Sequence, residues 1–125
     1  MAGSFRDLKV YKKAFDFAME IFEMTKQFPS EEKYALTDQL RRSSRSICRA
    51  IGESYRKRQY PKNFSSKMSD ADMENTETQI SLEFAQACKY ITKERYIGLI
   101  DQSEELGRMI GHMITNPECY KPRRN

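Results

Sequence analysis

A single histidine, His112, is all the imidazole in this chain, and its solitude excludes much of the chemistry a helical protein of this size could host. A di-metal carboxylate bundle needs Glu-x-x-His pairs aimed inward. Three residues before His112 stands Met109, so neither a metal nor any other cofactor is expected. Nucleophilic catalysis lacks its base as well: Ser43, Ser44 and Ser46 have no partner in view, and small hydroxyls in a helix seam signal close helix approach. There is no glycine-rich phosphate loop. Cysteine is scarce and unpatterned. Cys48, Cys88 and Cys119 are odd in number and lack C-x-x-C spacing, which points away from disulfides and zinc and toward a reducing cytoplasm. Cys48 reads as a packing residue at the edge of a seam. Long apolar runs are missing too. No stretch resembles a signal peptide or approaches the roughly 18 apolar residues of a membrane span. The chain is read as non-enzymatic, with no membrane association and no evident small-molecule substrate.

What is present is charge, and it is segregated. Over 125 residues the net charge is +4, a weak hint of an anionic partner. From Gln39 to Lys62 eight basic residues stand against one acid, Glu53, whereas Met68 to Cys88 carries five acids and no base. The basic segment is helical in pattern. On a wheel at about 100° per residue, Leu36, Leu40, Ser43, Ile47, Ile51 and Ser54 share one sector roughly 80° wide. Arg41, Arg42, Arg45, Arg49 and Arg56 share another, centred nearly opposite. One side is a packing seam rich in small residues and the other an arginine stripe, with Arg41 expected to be more shielded than Arg42.

The length suits one domain, which buries about two thirds of the surface its unfolded chain exposes and needs no covalent staples. Residues 1–6 lack periodicity and read as a flexible arm. Asp7 is a candidate N-cap for a helix over 8–27, with Tyr11, Ala14, Phe15, Ala18, Ile21, Phe22 and Thr25 on its core face. Phe28-Pro29 ends it, and Ser30 with Glu31 and Glu32 can open a second helix running to about Arg58. Pro61 suits the first turn of a third, over 62–90. That helix has two apolar faces: Phe64, Met68, Ala71, Leu82 and Ala85 on one, and Met73, Ile80, Phe84, Cys88 and Ile91 on another. A helix apolar on two sides is sandwiched, and a second copy of the chain is the simplest neighbour. Thr92 can cap a fourth helix with a stripe of Tyr96, Ile100, Ser103, Gly107, Ile110 and Ile114. The tail, 116–125, reads as flexible. Four long helices and short connections specify an all-α, antiparallel up-down-up-down four-helix bundle over residues 7–115.

Two segments carry a family resemblance. Asp7, Leu8, Val10, Tyr11 and Ala14 match an opening Asp-Leu-x-Val-aromatic-x-x-Ala motif. Phe28, Pro29, Glu32, Tyr34, Leu36, Gln39, Leu40, Arg41, Arg42, Ser46 and Ile47 match, in register, a central motif that is long enough to be specific. On these residues the chain resembles the small four-helix-bundle proteins encoded in the intervening sequences of large-subunit ribosomal RNA genes of some bacteria. It departs from them at Ala50-Ile51-Gly52-Glu53-Ser54, where relatives read Asn-Ile-Ala-Glu-Gly, so no role of that asparagine carries over. The resemblance implies a homopentamer around a central opening, with no established activity. A more distant similarity is to the basic pentameric accessory proteins of diversity-generating retroelements, which bind nucleic acid. Nothing here places the chain in that system.

Two readings of the stripe follow. Guanidinium forks match phosphate oxygens, so Arg41, Arg42, Arg45, Arg49, Arg56, Lys57 and Arg58 are candidate contacts to RNA or structured DNA, without base-specific readout. Aromatics that could stack on bases are limited to Tyr55 and Tyr60, and no helix-turn-helix, RNA-recognition or zinc-finger signature is present. The rival is a scaffold in which the basic and acidic faces join copies of the chain, or dock another protein, with no nucleic acid involved.

Overall fold

A computed structural model describes residues 3–122. Four helices, α1 (Lys9–Thr25), α2 (Leu36–Tyr55), α3 (Pro61–Ala87) and α4 (Lys93–Thr115), account for most of the chain, and the described residues contain no strand. α1 packs on α2 and α4, and α3 packs on α2 and α4, so the helices close a ring around one core. Phe17, Ile21, Leu40, Ile47, Ile51, Phe64, Met68, Leu82, Leu99, Leu106 and Ile110 are fully buried there. Each such side chain contributes about 1.5–3 kcal/mol of transfer free energy.

The α2 seam lies as its spacing requires, with all six predicted residues buried. The first predicted face of α3 is buried throughout. Its second is not: Met73 is 61%, Ile80 49% and Phe84 61% exposed. On α1 the buried face is rotated from the expected one. Val10, Phe17 and Met24 join Ala14, Ala18, Ile21 and Thr25 inside, while Phe15 faces outward and Tyr11 and Phe22 are half-buried. α4 is rotated likewise, burying Leu99, Leu106 and Met113 beside Ser103 and Ile110, with Tyr96, Ile100, Gly107 and Ile114 flanking.

Polar groups cross the core in pairs. The Asn75 amide donates to the Ser103 carbonyl (2.9 Å), the Ser103 hydroxyl donates back to Asn75 Oδ1 (2.7 Å), and Gln79 Nε2 donates to Ser103 Oγ (2.8 Å). Between α2 and α3 the Thr78 hydroxyl lies 2.8 Å from Ser43 Oγ. Every buried side-chain nitrogen and oxygen among the described residues has a partner, the condition under which such groups specify register without a desolvation penalty.

Helix ends differ from the sequence expectation for identifiable reasons. Asp7 does not cap α1; it completes a capping box with Ser4 on a short 3-10 turn, Phe5–Asp7, and Leu8 takes the N-cap position. Residues 4–6 of the expected flexible arm are thus ordered turn. Ser30 opens only a 3-10 turn, Ser30–Glu32, and α2 begins at Leu36. The Glu32 carboxylate replaces Ser30 as its cap: Oε1 accepts from the Leu36 amide (3.2 Å) and Oε2 from the Tyr90 hydroxyl (2.8 Å). α2 ends at Tyr55 instead of Arg58. α3 stops at Ala87, because Lys89 turns left-handed (φ 64) and the Tyr90 amide closes on the Ala85 carbonyl at 2.9 Å. Thr92 caps α4 as expected, through the Arg95 amide. Beyond α4, Pro117–Tyr120 forms a 3-10 turn whose Tyr120 ring stacks on Phe64, centroids 5.7 Å apart, so this part of the expected flexible tail is docked. Residues 123–125 of that tail, and 1–2 of the arm, lie outside the described residues.

Gly52 interrupts the α2 seam at a position where close packing does not require glycine. A methyl group there would meet the Phe5 ring at 3.6 Å, an ordinary contact. Gly52→Ala is expected to raise the unfolding free energy by about 0.5–1 kcal/mol through helix propensity alone, read as a higher urea midpoint at unchanged m-value.

Candidate nucleic-acid interface

The seven predicted basic residues divide into three groups. Arg41 is a strut between helices. Its Nε donates to Thr25 Oγ1 at 2.8 Å and Nη2 to the Phe22 carbonyl at 3.4 Å, and its guanidinium stands over the Phe22 ring at 4.6 Å. It is half-buried, whereas Arg42 is exposed, as the wheel suggests. Arg41→Met is expected to cost about 1–2 kcal/mol in urea unfolding, from the lost hydrogen bonds and the lost cation–π contact. Arg42 belongs to a second group whose charge is shared. It faces Asp38 one turn back at 3.6 Å, and it offsets part of the repulsion on Glu74, whose carboxyl is held above its ordinary range by burial and then by Glu77 and Asp70. Arg58 is also engaged: its guanidinium lies 3.7 Å from the Tyr55 ring centroid and Nε donates to the Tyr55 carbonyl at 2.9 Å.

Arg45, Arg49, Arg56 and Lys57 form the third group. All four are exposed, and among the described residues none has a carboxylate within 4.0 Å. Arg45 leans on the same Phe22 ring at 5.6 Å. Arg56 caps the C-terminus of α2, where cations are favoured by the helix dipole. Tyr55, Arg56, Arg58, Gln59 and Pro122 line a shallow polar cavity of 270 Å³ at that end of the stripe. Arg41, Arg45 and Arg49 therefore extend along α2, while Arg56, Lys57 and Arg58 continue in the turn after it.

Pairing of the stripe with α3 carboxylates inside one chain does not occur among the described residues. The ion pair joining α2 to α3 runs the other way, from Glu53 to Lys67 at 3.2 Å, with Asp70 3.4 Å from the same ammonium. Those partners raise the Lys67 pKa above its ordinary value, chiefly through the Glu53 hydrogen bond. Asp38, Arg42, Ser46, Glu74, Glu77 and Ile80 line a 490 Å³ groove between α2 and α3, where the basic and acidic segments meet. The role of Phe22 as a platform for two guanidiniums is absent from the sequence reading, since the ring is on α1 and the arginines on α2. The sequence expectation places Phe22 on the core face of the first helix, and no spacing within α2 points to it.

No cluster of three or more His, Cys, Asp or Glu with metal-holding geometry occurs among the described residues, and none of their helices is long and apolar enough to cross a membrane. Cys48 packs against the core, and burial pushes its thiol up to about 11, only partly opposed by its backbone hydrogen bond and Arg49. Cys88 and Cys119 are exposed. With Ellman's reagent at pH 8, two thiols are therefore expected to react promptly and the third only after unfolding, since the thiolate is the reactive form.

A ring of four helices around one buried core, with exposed basic residues along α2 and the turn after it, defines a small all-α bundle protein. The chain belongs to the 23S rRNA-intervening sequence protein family, whose model matches residues 6–112. Its structure is similar to the crystal structure of a protein with unknown function from the S23 ribosomal protein family of Bacteroides thetaiotaomicron VPI-5482. The TM-score is 0.75 and the identity 29%, over 85% of this chain and 95% of that one. No curated protein sequence matches.

Proposed function

We propose that this chain is a non-enzymatic, cytoplasmic binding protein that contacts the phosphates of RNA or structured DNA through α2 and acts as a homo-oligomer, a pentamer by family resemblance, of up-down-up-down bundles. One observation carries the nucleic-acid reading: Arg45, Arg49, Arg56 and Lys57 are exposed with no carboxylate within 4.0 Å, so their charge is not neutralised within the described chain. Arg42 and Arg58 contribute from shared positions at the flanks, and Arg41 holds α2 against α1 beneath them. The five-residue connections 56–60 and 88–92 support antiparallel neighbours. The contacts read phosphate and not base edges, since the sequence carries no helix-turn-helix, RNA-recognition or zinc-finger signature.

A second reading, the scaffold without nucleic acid, is favoured by the α3 stripe of Met73, Ile80 and Phe84, which is apolar and open to solvent. Fluorescence anisotropy with labelled RNA and DNA across a salt series separates the two. The expected result is a binding constant falling steeply with salt, at a log-log slope of about −0.7 to −0.9 for each phosphate neutralised. Absence of binding at low salt would pass the stripe to the scaffold.

A further inference from the structure

Away from the arginine stripe, the start of α1 and the end of α4 part to leave an apolar cleft of 380 Å³. Val10 and Met113, each 3% exposed, line it together with the half-buried Leu8 and Met109 and the Tyr120 ring. The ring is held from two sides, by its stack on Phe64 (5.7 Å) and by its hydroxyl, 2.9 Å from His112 Nδ1. His112, Lys9 and Arg108 complete the lining. Lys9 and Arg108 are both exposed, and among the described residues neither has a carboxylate within 4.0 Å. Glu105, one turn before Arg108, is taken by Lys13 at 3.1 Å.

We propose that this cleft binds a medium-chain aliphatic carboxylate, its hydrocarbon among Val10, Met109 and Met113 and its carboxylate between Lys9 and Arg108. An apolar interior with cations at its border selects an amphipathic anion over a neutral apolar molecule or a cation. The cavity lies near the small end of ligand pockets, which suits an acid of about eight to ten carbons. Two methionines in the lining let it adapt to a flexible chain. The proposal is independent of nucleic-acid binding.

The test uses the full chain labelled with ¹³C at the methionine methyls and titrated with sodium octanoate at constant ionic strength, with 1-octanol as the neutral comparator. The expected result is a saturable shift of the Met109 and Met113 signals with Met73 unmoved, and octanol binding about tenfold or more weaker. Lys9→Gln/Arg108→Gln should weaken octanoate by about tenfold and leave octanol unchanged, with an unaltered far-ultraviolet spectrum because both side chains are on the surface. Three results overturn the proposal. They are equal binding of octanol and octanoate, a response led by Met73 on the open face of α3, and a fall in the light-scattering mass on adding octanoate. The last would mean that a second copy of the chain fills the cleft.

Discussion

Phe17→Ala is expected to lower the unfolding free energy by about 3–5 kcal/mol, while Phe15→Ala, two residues away, lowers it by only about 1 kcal/mol. Phe17 is fully enclosed, whereas Phe15 is 49% exposed. Truncating Phe17 removes a ring from the interior of a core that also holds Ala14, Ile21 and Leu40, all fully buried, and close-packed interiors relax only in part around such a gap. The cost is therefore the transfer term plus a cavity term. Truncating Phe15 removes a half-exposed ring and its contact with Tyr11, centroids 6.2 Å apart, and leaves no enclosed cavity. Urea unfolding at matched protein concentration is the measurement, because association would otherwise add its own concentration dependence. Equal losses for the two variants, or a larger loss for Phe15→Ala, would show that α1 is rotated toward the face its sequence spacing suggests.

The contrast between these phenylalanines shows where sequence patterning ran out. On α2, charge occupies one side of the wheel so densely that a single face remains for the core, and all of Leu36, Leu40, Ser43, Ile47, Ile51 and Ser54 are buried. α1 offers no such exclusion. Val10, Ala14, Phe15, Phe17, Ala18, Met19, Ile21, Phe22 and Met24 cover most of its circumference, so periodicity alone cannot choose between the Phe15 and Phe17 sides. On α4 the seven-residue series Leu99, Leu106, Met113 and Ile100, Gly107, Ile114 have the same period and differ by one residue, or about 100° of rotation. The structure buries the first series and leaves the second at the border. Only the partner helices distinguish the two.

The same limit applies to the stripe. Helical spacing places Arg41, Arg45 and Arg49 on one side of α2, and the structure agrees with that placement. It cannot register that Thr25 and the Phe22 ring, sixteen and nineteen residues before Arg41, take hold of that guanidinium from another helix. Nor does it reveal that Glu32 reaches the first turn of α2 and the Tyr90 hydroxyl at once, because one carboxylate serving two elements leaves no periodic trace.

Replacing Arg45, Arg49 and Arg56 together with glutamine is expected to reduce the affinity for RNA or DNA by about 10²–10³-fold at low salt and to flatten the log-log salt slope by about two units or more. Glutamine keeps most of the aliphatic stem and some hydrogen-bonding capacity, so the loss reports charge. These three lack ion-pair partners among the described residues, so their replacement should leave the assembly mass unchanged and lower the stability by no more than about 1 kcal/mol, from the exposed Phe22 contact of Arg45 and the helix-end position of Arg56. Arg41→Gln supplies the opposing control. Its guanidinium is committed to Thr25 and Phe22, so that variant should lose stability with little change in salt slope. The paired outcome matters because a polyanion could also be held by Lys57, Arg58 and the basic tail. Retention of the slope in the triple variant would move the contact to those residues. Loss of the assembly mass together with binding would instead mean that the stripe joins one copy of the chain to another, the complementary surface being the carboxylates of α3. In that case the exposed Met73, Ile80 and Phe84 become part of the same interface, since they lie on the helix that carries those acids.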